Sequence, residues 1–218
     1  GADGGLVIVG GDGVGMSSSQ NEQDSRFWGR FAHVPVLEPA DSQEAHRMIR
    51  AAFELSEQFQ TPVILRMTTR ICHVKGMVTV GERTQREQSG GFEKNPAHWV
   101  MVPAAAKRRL PLMFEREAKL REFVKTSELN ELEAGSDTRV GFVTSGPAYM
   151  HVKEAFPEAP VLKMGISYPL PLETIRRLAD QVEHLVVVEE TEPLVELELK
   201  AAGFEVQGKG ILPRTGEL

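Results

Sequence analysis

The chain has 218 residues, with 25 Lys and Arg against 31 Asp and Glu, and a single cysteine. At about 150 residues per domain, that length holds one large or two small domains with a buried core. The net charge of −6 argues against a nucleic-acid partner, and one cysteine excludes an internal disulfide, an all-cysteine zinc site and an iron–sulfur cluster ligated by this chain alone.

No apolar run approaches the roughly 18 residues of a membrane span, and the N-terminus has no basic-then-apolar signal segment. A lone cysteine fits a reducing compartment. The expected location is cytoplasmic, with no membrane contact. The chain opens Gly1-Ala2-Asp3-Gly4-Gly5 without Met and enters an apolar run at once, which reads as a piece cut from a longer polypeptide.

Residues 6–9, Leu-Val-Ile-Val, predict a strand buried on both faces. A glycine-rich turn, Gly10-Gly11-Asp12-Gly13-Val14-Gly15, follows. Ser17, Ser18 and Ser19 then offer N-cap oxygens to a helix running to residue 31. Val36-Leu37 is a brief second strand. Asp41-Ser42-Gln43-Glu44 has capping-box spacing, with Asp in place of the usual Ser or Thr. It opens a helix whose Ala45, Met48, Ile49, Ala52, Leu55 and Phe59 share one face. Thr61-Pro62 stops that helix, and residues 63–67 predict a third strand. The alternation implies a parallel sheet with crossover helices.

Residues 73–137 are polar and broken by Gly90-Gly91, Pro96, Pro103 and Pro111, with a charged helix expected over 112–129. They read as a long connector, of a length that usually has a function or wraps a neighbour. A second α/β rhythm begins at Arg139. Strands are expected at 140–143, 161–164, 185–188 and 204–206. Helices are expected over 149–156, from Pro171, and from Pro193 to a Gly203 cap. The fold class is α/β throughout.

The glycine loop fails the dinucleotide fingerprint, because Met16 stands at the third glycine position. Gly11-Asp12-Gly13 also opens the magnesium–thiamine diphosphate motif, which needs an Asn oxygen at a set distance downstream. Asn21, Asn95 and Asn130 all miss that distance, leaving a flexible strand-to-helix turn as the plain reading. The polar cluster from Ser17 to Asp24 follows the C-terminal end of a strand, the edge where open α/β sheets take ligands. Its plain alternative is N-capping and a solvated turn. Glu189-Glu190, at the end of another strand, suits acid–base work, or else caps the next helix or faces a neighbouring domain. Cys72 reads as structural, on a strand opposite His73, and Lys107-Arg108-Arg109 reads as a solvated or subunit-facing patch. His151 and Glu154 have ligand spacing but lack a third ligand nearby, so zinc is not expected.

Several segments carry a resemblance. Met16-Ser17-Ser18-Ser19-Gln20-Asn21-Glu22-Gln23-Asp24-Ser25-Arg26 is similar to a segment of the alpha subunits of indolepyruvate ferredoxin oxidoreductases. So are Leu37-Glu38-Pro39-Ala40-Asp41-Ser42-Gln43-Glu44-Ala45, Thr68-Thr69-Arg70, Lys94-Asn95-Pro96-Ala97, Val143-Thr144-Ser145-Gly146, Val188-Glu189-Glu190 and Pro213-Arg214-Thr215-Gly216-Glu217-Leu218. The resemblance runs along almost the whole chain in one order. It departs at Gly13-Val14, where the family has a second acid and a proline.

The resemblance implies a segment of an enzyme that oxidatively decarboxylates aryl pyruvates to acyl-CoA and passes electrons to ferredoxin. On that basis residues 1–72 are the second half of a thiamine diphosphate pyrimidine-binding domain. Residues 73–137 are a connector, and 138–218 a transketolase-C-like domain. Thiamine diphosphate, Mg²⁺, coenzyme A and iron–sulfur clusters belong to the parent enzyme, with their sites mostly outside this chain. The implied partners are a small beta subunit, ferredoxin and a 2-oxoacid, in an oligomer. Ser18, Ser19, Gln20 and Asn21 are the implied cleft residues, by position. No complete catalytic set and no metal site is expected here, and the isolated segment is expected to be inactive. The alternative is a non-catalytic scaffold or docking subunit.

Overall fold

The structure, a computed structural model, describes residues 4–17, 19–82 and 94–218. The Gly90-Gly91 turn and Ser18 lie outside the described residues. Two four-stranded sheets form the frame.

The first sheet holds β1 (Val7–Asp12), β3 (Val63–Thr68), β2 (Val36–Leu37) and β7 (Ile166–Tyr168), in that spatial order. β1, β3 and β2 run parallel, and β7 closes the far edge antiparallel to β2. The second sheet is β4 (Asn130–Glu133), β6 (Val161–Met164), β5 (Val140–Ser145) and β8 (His184–Val188). β5, β6 and β8 are parallel, and β4 is antiparallel to β6. The expectation of parallel sheets with crossover helices holds, while β4 and β7 had no signal strong enough to predict them.

Helix α2 (Ser42–Phe59) is the crossover of the first sheet. The Asp41 carboxylate accepts from the Glu44 N–H at 2.8 Å, and Glu44 reaches back to the Ala40 N–H at 2.8 Å. Two orphan donors are thus satisfied reciprocally, shifted one residue from the usual capping box. Met48, Ala52 and Leu55 then pack with Leu37, Val63 and Leu65 of the strands. In the second module, α7 (Leu172–Ala179) and α8 (Leu194–Ala201) bring Ile175, Leu178, Val195 and Leu199 onto Val143, Leu162 and Val187. Helix α6 (Ala148–Ala155) covers the opposite face.

Four sequence expectations change. β1 is an edge strand, and Ile8 and Val9 are 49% and 60% exposed, so it is not buried on both faces. The helix expected from Ser17 begins only at Arg26, as α1 (Arg26–Ala32). The connector helix is α5 (Pro103–Val124), which starts at Pro103 and carries Pro111 within it. Proline at the first helical turn lacks only an N–H that would be unpaired there anyway. Residues 204–206 form no strand, and only Gln207 makes an isolated bridge, to Val186.

One residue carries the chain from the second sheet into the first. β6 ends at Met164 and β7 begins at Ile166, with Gly165 between them. Gly165 N–H donates to the Leu129 carbonyl at 2.9 Å, and its own carbonyl accepts from Glu38 N–H at 3.0 Å. A Cβ on Gly165 would stand 2.3 Å from that Leu129 oxygen and 2.7 Å from the Met48 methyl. Backbone cannot yield as a flexible side chain can. Gly165→Ala is expected to destabilise the protein by about 3 kcal/mol, read as a lower denaturant midpoint with an unchanged slope.

Candidate functional site

The C-terminal edges of the two sheets face each other, and the space between them is filled by charge. From the first sheet come Asp12 at the end of β1, Glu38 just after β2, and Arg66 within β3. From the second come Glu189 and Glu190, just after β8. Arg26, at the start of α1, lies between them with 1% of its surface exposed.

Arg26 is fully engaged. Its guanidinium donates to Asp24 at 2.8 and 2.5 Å, to Glu189 at 2.7 Å, and to the carbonyls of Glu190 and Glu192 at 3.1 and 2.8 Å. Arg66 donates to Glu38 at 2.6 Å and to Asp12. Ser25 caps the same Asp12 oxygen through its N–H at 2.9 Å. Thr191 Oγ1 donates to Asp24 at 2.7 Å. Glu189 also accepts from the N–H groups of Val195 and Glu196, each at 3.0 Å, at the start of α8. It therefore does both plain jobs, capping a helix and facing the neighbouring module. Glu38 Oε1 and Arg66 Nη2 are buried without a partner.

The charges have predictable directions. Burial pushes the Asp24 carboxyl up, but the hydrogen bond and charge of Arg26, with Arg66 and Thr191, outweigh it and bring its pKa from 3.8 to about 2. Burial raises Glu190, and the Leu218 N–H, Arg66 and Arg70 offset it only in part.

The polar segment before α1 folds back on the glycine loop. Gln23 Oε1 accepts from Gly13 N–H at 2.7 Å, and Glu22 Oε1 accepts from Gly15 N–H at 2.9 Å. Side chains that bond nearby backbone compete with helix formation, which is why the helix starts late. Gln23 Nε2 also donates to Ser19 Oγ and Asn21 Oδ1, both at 2.7 Å. Ser19 and Gln23 line an open cavity of about 330 Å³ with Gly11, Gly13, Thr69 and Cys72. It lies at the C-terminal end of β1 and β3, beside the buried charges. Ser19 is half-buried, while Gln20 and Asn21 are exposed. Cys72 sits in the short helix α3 (Thr69–His73), not a strand, and is an exposed free thiol on the same cavity wall as His73.

Sequence reasoning passed over Arg26 and Arg66. The available signal was Arg66 itself, a charge inside the apolar run Val63-Ile64-Leu65-Arg66-Met67, since Arg is almost never buried unless paired. Among the described residues no group of three or more His, Cys, Asp or Glu is arranged to hold a metal, and no helix is long and apolar enough to cross a membrane.

Two outcomes test the network. Arg26→Met leaves Asp24 and Glu189 buried without their cation and is expected to destabilise the fold by about 3–5 kcal/mol, measured by chemical denaturation. Asp24 has a depressed folded-state pKa. Its contribution is therefore complete above about pH 4 and lost as pH falls toward about 2, on the order of 2 kcal/mol. Asp24→Asn should flatten the stability profile across that window, and an unchanged acid slope would contradict the assignment.

No family model matches the chain. Curated relatives match it from end to end. It is 39% identical over 234 residues to the indolepyruvate oxidoreductase subunit IorA of Thermococcus kodakarensis, covering 100% of this chain and 36% of that protein. It is 40% identical over 225 residues to the IorA subunit of Archaeoglobus fulgidus, with the same coverage. Among solved structures, the 2-oxoglutarate:ferredoxin oxidoreductase of Magnetococcus marinus superposes with a TM-score of 0.64 at 14% identity, over 93% of this chain and 44% of that one. That likeness establishes the shared α/β fold. The chain spans about a third of the length of the curated relatives it matches, and along its whole length it belongs with the IorA subunits of indolepyruvate oxidoreductases as a segment.

Proposed function

We propose that this chain is part of a 2-oxoacid oxidoreductase that oxidatively decarboxylates aryl pyruvates of the indolepyruvate kind to acyl-CoA, with ferredoxin as electron acceptor. The observation that carries the reading is the end-to-end match to IorA subunits. In this reading residues 1–72 are half of a pyrimidine-binding domain, 73–137 a connector, and 138–218 a transketolase-C-like domain. The partners are a small beta subunit and ferredoxin, in a cytoplasmic oligomer.

The residues of this segment do not by themselves fit thiamine diphosphate with Mg²⁺. Asp12, the acid of Gly11-Asp12-Gly13, is already bound by Arg66 and Ser25. No Lys or Arg is among the residues lining the cavity next to it, and none of the described residues cluster as metal ligands. The diphosphate, the metal and the electron-carrying clusters are therefore assigned to the rest of the parent enzyme.

What the segment contributes is one wall of the substrate cleft. Of the cleft residues Ser18, Ser19, Gln20 and Asn21 that the resemblance implies, Ser19 lines the open cavity and Ser18 lies outside the described residues. Hydroxyl and amide groups are suited to donate hydrogen bonds to a 2-oxoacid carboxylate, and such bonds to a charged group are among the stronger ones. Gln23, by holding Ser19 and Asn21 on one amide, fixes the presentation of this stretch.

In the complete enzyme, Ser19→Ala and Gln20→Ala are each expected to raise KM for indolepyruvate about tenfold with little change in fold stability. Steady-state kinetics check this. Unaltered kinetics in both variants would remove these residues from the cleft and favour the docking-subunit reading. The isolated 218-residue chain is expected to release no CO₂ from labelled indolepyruvate.

A further inference from the structure

Helix α5 treats its cations in two different ways. On one side Arg121 pairs with Glu117 at 2.6 Å and Lys125 pairs with Glu122 at 2.8 Å. On the other side Arg108, Arg109, Arg116 and Lys119 line a groove of about 580 Å³. Among the described residues, none of these four makes an ion pair with a carboxylate. Glu115 is the only acid among the lining residues.

The groove is walled by the end of α2, by the short helix α4 (Pro96–Trp99) and by α5. Arg109 and Arg116 are seven residues apart, two helical turns, so they share a face. Arg109 is fastened by a hydrogen bond to the His98 carbonyl at 2.5 Å, which orients the guanidinium without neutralising it. Burial and the like charge of Arg109 both push Arg116 below its usual value. Clustered cations that repel one another in a concave wall are a standing cost unless an anion occupies the space.

We propose that this groove binds a small molecule bearing two or more phosphate groups, gripped by Arg108, Arg109, Arg116 and Lys119. Its volume lies within the roughly 300–1,000 Å³ of small-molecule sites. Guanidinium forks match phosphate oxygens two at a time. Four cations call for more than one anionic group. An extended polyanion is disfavoured, because the chain as a whole carries a net charge of −6. The proposal does not depend on the substrate reading above.

The test is calorimetric titration of inorganic pyrophosphate into the full-length subunit, with three variants beside it. A saturable site is expected whose affinity falls as salt rises. Arg116→Gln and the pair Arg108→Gln/Lys119→Gln are each expected to weaken it about tenfold. Arg108 and Lys119 are exposed, so the paired variant keeps the fold, and an unchanged melting temperature verifies that. Arg109→Lys keeps the charge but loses the fork, and is expected to bind more weakly than the unaltered subunit yet more tightly than Arg116→Gln. Absence of saturable binding overturns the proposal. So does binding that the variants leave untouched, which assigns pyrophosphate to another site. A poly-glutamate peptide that outcompetes pyrophosphate in a variant-sensitive way would overturn it in favour of docking by an acidic protein segment.

Discussion

Two buried guanidiniums, Arg26 and Arg66, hold together the place where the C-terminal edges of the two sheets meet. Asp12, Glu38 and Glu189 are buried there and Asp24 is half-buried. Carboxylates so close and so dry need cations and hydrogen bonds to offset their desolvation, and the two guanidiniums supply most of these, leaving Glu38 Oε1 and Arg66 Nη2 without a partner. Arg26 supplies five such bonds, two of them to carbonyls just beyond β8. The clamp ties the start of α1 to the end of β8, while Glu22 and Gln23, bonded to the glycine loop, delay α1 and hold Ser19.

The clamp also decides where a ligand can sit. Open α/β sheets bind ligands beyond the carboxyl ends of their strands. Here those ends are turned toward each other and largely filled by the buried charges. What remains open is the flank of the first sheet, at β1 and β3, where Ser19, Thr69 and Cys72 border water. The edge strand β1 lies on the same flank, with Ile8 and Val9 exposed. The open cavity therefore lies at the rim of the module interface.

The covalent tie between the sheets is as tight as the electrostatic one. β6 and β7 form one extended stretch interrupted only by Gly165, so a single run of chain pairs first with β5 and then with β2. The end of α5 adds Val124 to the first core, beside Ile166 of β7. A segment that reads as a polar connector thus seals one sheet with its helix and widens the other with β4. Its polar composition reflects the groove and the solvent it faces. Among its apolar residues Leu120 and Val124 are buried, while Val100, Met101, Val102, Leu110, Leu112 and Phe114 are exposed.

The local chemistry of this protein was legible in the sequence. Asp41 and Glu44 cap α2, apolar spacing selects its buried face, Pro171 and Pro193 precede helices, and Gly203 ends one with positive φ. Each of these depends on neighbours within a turn or two. The motif from Met16 to Arg26 also stood out, and with it the kinship to IorA subunits. Tertiary structure alone decided what that motif does. Its Asp24 and Arg26 meet Glu189 and Thr191, more than 160 positions away, and its glutamine folds onto the glycine loop in place of starting a helix. Pairings of that span, like the three-residue β7 joining a distant sheet, are set by the burial of charge and by the space left between cores. Neither quantity exists until the chain has closed on itself.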